Sequence, residues 1–187
     1  MRRGMRYGTP MMALMLNGVL LTPASAVTVM NDVTMSINMT IADVTCQVNS
    51  GAGLSQQVNM PLMSLVDLQA NRGPMVEAPL TVDCTGSPSQ PSSITLSVEP
   101  TGGSSLLGSG DLGQLKTNQS GIGLKLTWKH DGLPLSLTSA TPRVFIPSMA
   151  VGNVWDLGIM AQTIAVPGET AKGGEYVGAI RLNLRYS

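Results

Sequence analysis

The stretch YVGAIRLNLRYS, residues 176–187, is the clearest indication of the fold class. Apolar side chains occupy alternate positions along most of it, and polar or small residues lie between them. A period of two is typical of a β-strand with one apolar and one solvated face. The stretch VTMSINMTI, residues 33–41, repeats this alternation near the other end of the chain. Two such strands leave two sheet edges to satisfy, and unpaired edges attract partner strands.

Further short apolar or alternating segments lie between these two, separated by Gly, Pro, Ser and Asn about every ten residues. Long helical periodicity is absent, so the pattern predicts an all-β sandwich or barrel. Residues 60–68 fit a helical turn as well as a strand, and the sequence leaves this open. The predicted strands are 33–41, 58–65, 80–84, 94–98, 121–128, 133–137, 154–162 and 176–186.

The first residues have the order of a secretory signal peptide. Arg2, Arg3 and Arg6 precede a short apolar run, and Ala24-Ser25-Ala26 offers a small-residue cleavage site. The apolar run is too short to span a bilayer. We therefore predict a cleaved signal over residues 1–26 and export of the rest.

Composition narrows the class of partner. The 187 residues carry 11 Lys+Arg and 11 Asp+Glu, and three arginines leave with the signal, so eight basic residues face eleven acidic ones. A mildly acidic chain lacks the positive surface that nucleic acid requires. No later apolar run has the length of a membrane helix, so membrane insertion is not expected either.

Both cysteines, Cys46 and Cys84, lie in the exported part of the chain. An even pair in an oxidising compartment predicts a disulfide, whose loop closure contributes roughly 3–4 kcal/mol. Leu80 and Val82 share a strand face with Cys84, so Cys84 points towards the core.

The groups needed for catalysis are missing from the sequence. His130 is the single histidine, which excludes a His-rich metal site and leaves little room for a Ser-His-Asp triad. No Gly-x-Ser-x-Gly motif occurs, and Gly121-Ile122-Gly123 lacks the third glycine of a dinucleotide loop. Close packing inside a strand explains those two glycines better. We expect a protein that is not an enzyme and has no cofactor.

Several motifs together resemble one family. The chain is similar to minor pilins of the chaperone–usher pathway, close to the adaptor subunits of type 1 and P pili. Each motif is weak alone, but their joint order and spacing are specific. They are DVTMSI at 32–37 before the first cysteine, LTVDC at 80–84, SGIGLKL at 120–126, DGLPL at 131–135, VPG at 166–168, Gly174 and the penultimate Tyr186.

The resemblance implies an immunoglobulin-like sandwich that lacks its last strand. Residues 27–45 would be an N-terminal donor-strand extension, and residues 46–187 the pilin domain. The implied donor residues are Val33, Met35, Ile37, Met39 and Ile41. The implied groove strand, which a chaperone would grip, carries Gly174, Ile180, Leu182, Leu184 and Tyr186. The family usually has glycine where this chain has Met39.

The resemblance also implies a function. A periplasmic chaperone would lend a strand to the subunit. At the outer-membrane usher, the extension of a neighbouring subunit would replace that strand. The chain would then be an adaptor of an adhesive cell-surface fimbrium. The alternatives are a terminating subunit at the fibre base, a small single-domain adhesin, and an ordinary sandwich whose two alternating strands pair within one molecule.

Overall fold

The computed structural model describes residues 33–41, 46–52 and 55–187. The predicted signal peptide lies outside these ranges. Within them the chain is built almost entirely of strands, with a short helix α1 at Leu65–Gln69 and 3-10 turns at Asn49–Gly51 and Pro147–Met149. The strands are β1 Val33–Ile41, β2 Gln47–Val48, β3 Gln56–Met60, β4 Met75–Ala78, β5 Thr81–Asp83, β6 Ile94–Thr101, β7 Ser105–Leu106, β8 Gln114–Lys116, β9 Ile122–Trp128, β10 Arg143–Phe145, β11 Val154–Asp156, β12 Ile159–Ala165 and β13 Tyr176–Tyr186.

Two five-stranded sheets form the sandwich. The first sheet has the strand order β10-β6-β13-β1-β3, and the second has the order β4-β12-β9-β8-β7. A small third sheet, β11-β5-β2, lies at one end. Every pairing is antiparallel except that of β1 with β13.

Alternation along the strands produces the core, as the sequence predicted. In β13 the side chains of Ile180, Leu182 and Leu184 are buried, whereas Arg181 and Arg185 are exposed. In the opposite sheet, Ile122, Leu124 and Leu126 on β9 are fully buried. The core therefore lies between the two sheets, where each strand contributes its apolar face.

The predicted disulfide is confirmed. Cys46 and Cys84 are bonded across a sequence separation of 38 residues, with their Cα atoms 4.3 Å apart. Cys46 comes just before β2 and Cys84 just after β5, and these two strands pair. The bond therefore fastens the chain just before β2 to the chain just after β5.

Three strand predictions need correction. Residues 133–137 do not form a regular strand. A single bridge joins Thr127 to Pro134, and the N–H groups of Leu126 and Leu133, which would extend it, bind the Gly113 carbonyl and the Asp131 carboxylate instead. Residues 154–162 form two strands rather than one, because β11 pairs with β5 in the small sheet and β12 pairs with β4 and β9 in the second. At the break between them the Gly158 N–H binds the Asp156 carboxylate at 3.0 Å. The segment 58–65 ends as a strand at Met60.

The choice left open at residues 60–68 is resolved in favour of a helical turn. α1 begins after Ser64, whose hydroxyl accepts the Asp67 N–H at 3.1 Å. Such a bond satisfies one of the free N–H groups at a helix start. Leu68 is the buried residue of the turn and anchors it to the core.

The two glycines of the 121–123 motif are explained by close packing, as predicted. Gly121 has φ +77°, and an added Cβ would lie 2.4 Å from the Ala171 backbone. A Cβ on Gly123 would lie 2.9 Å from the Leu115 carbonyl oxygen. Any side chain at either position would push the neighbouring backbone away.

Candidate functional site: the strand slot beside β13

The candidate site is the position that β1 occupies in the first sheet. β1 lies between β13 and β3. It runs parallel to β13 from the Val33–Tyr176 pair to the Ile41–Leu184 pair. It runs antiparallel to β3 from Val33–Met60 to Ile37–Gln56. We call this position the slot.

Residues 46–187 do not complete the first sheet by themselves. In the part of the chain that the structure describes, β3 pairs within this sheet with β1 alone, and β13 pairs with β1 and β6. Without β1, one ladder edge of β13 and the facing edge of β3 would lose their partners. Unpaired N–H and C=O groups are costly to bury, so the slot requires a strand.

The structure brings the implied donor and groove residues together inside one chain. Ile37 pairs with Ile180, Met39 with Leu182, and Ile41 with Leu184. The three β13 partners are all at most 1% exposed. The two sets that the sequence analysis assigned to opposite sides of an interface are therefore neighbours in one ladder.

The remaining implied site residues lie near the ends of this ladder. Val33 pairs with Tyr176, and Met35 is fully buried opposite Gly178. Tyr186 is the last residue of β13 and lies beyond the last pair with β1. Gly174 precedes β13 by two residues and is not part of the strand.

The occupant of the slot differs from the implied arrangement. The resemblance implied that residues 33–41 leave the molecule and complete a neighbour, whereas in the structure they fill the slot of their own chain. This is the arrangement of the alternative with both strands paired internally. Its direction is unusual for a sandwich, because the strand runs parallel to β13 while every other pair is antiparallel.

Gly178 lies on β13 opposite Met35, at a point where the first sheet closely approaches Leu124 of the opposite sheet. A Cβ built on Gly178 would lie 2.4 Å from Leu124 Cδ1 and 3.6 Å from Leu115 Cδ1. The side chain of Leu124, from the opposite sheet, therefore fills the space that a residue larger than glycine would need. A large side chain on the slot strand then packs beside a small one on β13, which is a common way to fill a core without voids.

Two polar residues that were not identified from the sequence, Ser104 and Asn118, form hydrogen bonds with the backbone in the first half of β13. The ladder with β6 begins only at Ala179, whose N–H binds Ser104 Oγ at 2.9 Å. Asn118 exchanges two hydrogen bonds with Val177: its Oδ1 accepts the Val177 N–H at 2.7 Å, and its N–H donates to the Val177 carbonyl at 3.1 Å. These contacts satisfy the backbone of β13 where β6 has ended.

Two tyrosines at the ends of β13 differ in their hydrogen bonding. The buried hydroxyl of Tyr176 lies 2.6 Å from Thr163 Oγ1 on β12, a bond that joins the two sheets across the core. The buried hydroxyl of Tyr186 has no hydrogen-bond partner within the described residues. Burial raises the pKa of both phenols, and the bond to Thr163 partly offsets this for Tyr176.

A cluster of charged groups lies at the surface away from the slot, around the turn after β9. Lys129 Nζ contacts Glu77 at 2.7 Å and Asp156 at 2.8 Å, and these carboxylates, Asp156 first, raise the Lys129 pKa. His130 Nδ1 lies 3.4 Å from Asp131, which also pairs with an arginine on β10. This arrangement links the turn after β9 to β4, β10 and β11 through ion pairs.

Among the described residues, no group of His, Cys, Asp or Glu side chains has the geometry to hold a metal ion. The same residues contain no helix with the length and apolar character needed to cross a membrane.

Comparison with known proteins identifies the fold. No protein-family profile matches the chain, and no curated protein matches it. Among solved structures, the rod subunit PapA of the P pilus superposes with a TM-score of 0.53 at 14% identity, covering 77% of this chain and 100% of that one. A chain from a structure of a chaperone–usher pilus, which addresses the uncoiling of the rod, superposes with a TM-score of 0.60 at 16% identity. The match covers 79% of this chain and 91% of that one.

These neighbours define the class of the fold. The chain is an immunoglobulin-like sandwich of the kind found in chaperone–usher pilus subunits, and the predicted fold class is confirmed. The topology adds that the pilin-like part, residues 46–187, takes one strand of its first sheet from the segment before Cys46.

Proposed function

We propose that this chain is a structural subunit of a chaperone–usher pilus, and that subunits are joined by exchange of the strand in the slot. The single observation that carries the proposal is the order β13-β1-β3, in which a strand from outside residues 46–187 completes the sheet. A strand from another molecule can make the same main-chain ladder, which is the basis of strand addition between proteins.

The side chains of the segment support the proposal. Met35 is fully buried in the slot, and β13 offers three fully or nearly fully buried apolar residues beyond it, Ile180, Leu182 and Leu184. Moving the five implied donor side chains from water into a core contributes roughly 8–15 kcal/mol before entropic costs, at about 1.5–3 kcal/mol each. A fibre held by such contacts dissociates slowly without any covalent link.

The partners follow from the same slot. Before assembly a periplasmic chaperone supplies the missing strand, and at the outer-membrane usher a neighbouring subunit takes its place. The assembled subunit then lies in a fimbrium on the cell surface. An adaptor both donates a strand and accepts one. The slot of this chain holds a nine-residue strand, which favours an adaptor over a terminating subunit whose groove accepts none.

A labelled peptide tests the proposal. The mature chain is incubated with a fluorescent peptide copying residues 27–45, both directly and during refolding from denaturant with the peptide in excess. We expect the peptide to co-elute with the protein in gel filtration, because it competes with β1 for the slot. A matched peptide carrying Ile37→Asp should not co-elute, since it would bring a charge to the Ile180 pair.

Absence of incorporation under both conditions would contradict the proposal, because a slot that never admits a second strand cannot join subunits. Equal incorporation of the Ile37→Asp peptide would contradict it as well, since binding would then be unrelated to the slot. The neighbours of the subunit are identified by the proteins that copurify with it from assembled fibres.

A further inference from the structure

A concavity lies on the outer face of the first sheet, over the pairing of β6 with β13. Its volume is about 410 Å³, which is within the range of small-ligand sites. The floor contains two cross-strand pairs, Thr95 with Arg185 and Ser97 with Asn183. These four residues alternate with the buried core residues of the same strands, so their side chains point away from the core. We call this concavity the outer pocket.

The polar side chains of the floor are not used to hold the fold together. Thr95, Ser97 and Asn183 are half-buried, yet none of their side chains forms a hydrogen bond within the described part of the chain. Arg185 is exposed, and it forms no ion pair with the residues that the structure describes. Hydroxyl and amide groups that are already partly desolvated and held on a sheet bind a polar ligand at reduced cost.

The neighbouring arginine on the same face of β13 is paired. Arg181 lies opposite Glu99 of β6, and its Nη1 is 4.0 Å from the Glu99 Oε1. Further along the strand, Arg185 has Thr95 opposite it instead of a carboxylate. The guanidinium at the outer pocket is therefore available to a carboxylate supplied by a ligand.

The loop before β10 forms the wall of the outer pocket, and Ser139 and Pro142 of this loop line the cavity. The loop is held in shape by its own hydroxyl groups. Thr138 Oγ1 lies 2.9 Å from Thr141 Oγ1 and 3.2 Å from Ser136 Oγ. The wall is therefore fixed by hydrogen bonds that do not involve the residues facing the cavity.

The far end of the wall is fixed by Arg143, the residue after Pro142. Its Cζ lies 5.5 Å from the ring centre of Trp128 and 5.3 Å from that of Phe145, and its guanidinium pairs with Asp131. Both rings are buried, so the loop is attached to the core at this point. The outer pocket is thus formed before a ligand arrives, which lowers the entropic cost of binding.

We propose that the outer pocket binds a carboxylate-bearing sugar, with Arg185 holding the carboxylate and Ser97 and Asn183 holding ring hydroxyl groups. A planar guanidinium matches a carboxylate through two parallel hydrogen bonds. Serine hydroxyl and asparagine amide groups both donate and accept hydrogen bonds, as sugar hydroxyls do. Opposite side chains on a sheet are about 5 Å apart and successive ones on one face about 7 Å apart, which suits a single six-membered ring.

The outer pocket is separate from the slot. The pocket lies over β6 and β13, whereas the slot lies between β13 and β3. The proposed binding therefore does not rest on strand exchange. It gives a subunit with a structural role a second activity, the direct binding of an acidic glycan.

A chemical-shift titration of the isotopically labelled mature chain tests the proposal. The probes are the methyl glycosides of glucuronic acid and of N-acetylneuraminic acid, and the methyl glycoside of glucose is the neutral match of the first. We expect the acids to shift amide signals of β6 and β13 at the pocket. At least one acid should bind about tenfold or more tightly than the glucoside, the difference expected for a hydrogen bond to a charged group. Acetate and inorganic phosphate should each bind about tenfold or more weakly than that acid.

Two arginine variants separate the pocket from the general charge of the sheet. Arg185→Gln should weaken binding of the acid sugar about tenfold or more, because it removes the partner of the carboxylate. Arg181→Gln, on the same face of the same strand, should change binding by less than about twofold, since Arg181 does not line the pocket. Asn183→Ala should weaken binding about three- to tenfold through the loss of a hydroxyl contact.

Three results would each overturn the proposal. The first is the absence of shifts at the pocket with both acid sugars. The second is equal binding of acetate or phosphate, which would make the site one for small anions only. The third is an equal loss for the Arg181→Gln and Arg185→Gln variants. None of these results affects the labelled-peptide test of the slot, so this proposal and the proposed function fail separately.

Discussion

The two five-stranded sheets contribute to the same core but are completed in different ways. The second sheet, β4-β12-β9-β8-β7, comes entirely from residues 75–165 and contains only antiparallel pairs. The first sheet takes its fourth strand from the segment before Cys46 and contains the parallel pair. One sheet is thus complete within the domain, and the other depends on a strand attached through a short connection.

The difference indicates which sheet would take part in the proposed strand exchange. Close approach of backbones at Gly121 and Gly123 fixes the second sheet to its neighbouring loop and strand. In the first sheet, β1 is the first described strand, and residues 42–45 connect it to Cys46. Because β1 is the first described strand, no other strand has to be threaded past it, and the proposed exchange concerns the first sheet alone.

The sharpest way to separate the sheets is Met35→Asp. Met35 is fully buried, so an aspartate there places a carboxylate in the core without a partner. We expect a loss of at least about 3 kcal/mol in the free energy of unfolding, the largest effect predicted here. Amide hydrogen exchange should show lost protection in β13 and β3, while β9 and β12 remain protected.

The exposed residue Arg185 on β13 provides the control, and Arg185→Asp should have a small effect on stability and exchange. Equal loss of protection in both sheets after Met35→Asp would contradict the comparison, because the second sheet would then depend on β1 as much as the first.

Much of the first sheet was predictable from the sequence. The bounds of β1 and β13 coincide with the predicted segments 33–41 and 176–186, because period-two alternation over nine or more residues fits no helix. The disulfide was predictable from export and an even cysteine count. The strand predicted at residues 133–137 is wrong because Leu135 and Leu137 belong to an irregular loop in which both are buried. Alternate buried residues give the same sequence pattern in such a loop as in a strand.

The direction and occupant of the slot were not predictable. Alternation shows which face of a strand is apolar. The pattern is the same whichever way the strand runs, and whether it pairs within its own chain or with a neighbouring chain. The direction depends on where the folded domain holds the start of residues 46–187, which the disulfide fastens beside Cys84. Gly178 was visible only as a small residue in an apolar strand, and its contact with Leu124 comes from the opposite sheet.

Tyr176→Phe tests the bond that joins the two sheets across the core. The change removes the hydroxyl that contacts Thr163 and leaves the Thr163 hydroxyl buried without that partner. We expect a loss of about 1–2 kcal/mol by denaturant unfolding. Tyr186→Phe is the matched variant at the other end of β13, and it should be neutral or slightly stabilising because it removes a buried hydroxyl that lacks a partner among the described residues. Equal losses for the two variants would show that the phenol hydroxyls act through something other than this bond.

The smallest expected effect concerns the loop between β12 and β13, where Glu169 binds the second sheet. Its carboxylate contacts Lys116 Nζ at 2.6 Å and accepts the Gly121 N–H at 2.9 Å. These bonds, that of Lys116 first, lower the Glu169 pKa below its ordinary 4.5. A lowered folded-state pKa contributes stability that is present above the unfolded value and is lost as pH falls through the folded value.

Glu169→Gln should therefore lower the midpoint of thermal unfolding slightly at neutral pH, and the difference from the unmodified chain should vanish in acid below the ordinary glutamate range. In a Lys116→Met background the neutral-pH difference should shrink, because the principal cause of the lowered pKa is gone. If the difference in unfolding midpoint persists unchanged into acid, it arises from a change in the conformation of the loop and not from the charge of Glu169. Since the ion pair lies in the second sheet, hydrogen exchange in β1 and β3 should be unaffected at every pH, which separates this variant from those that act on the slot.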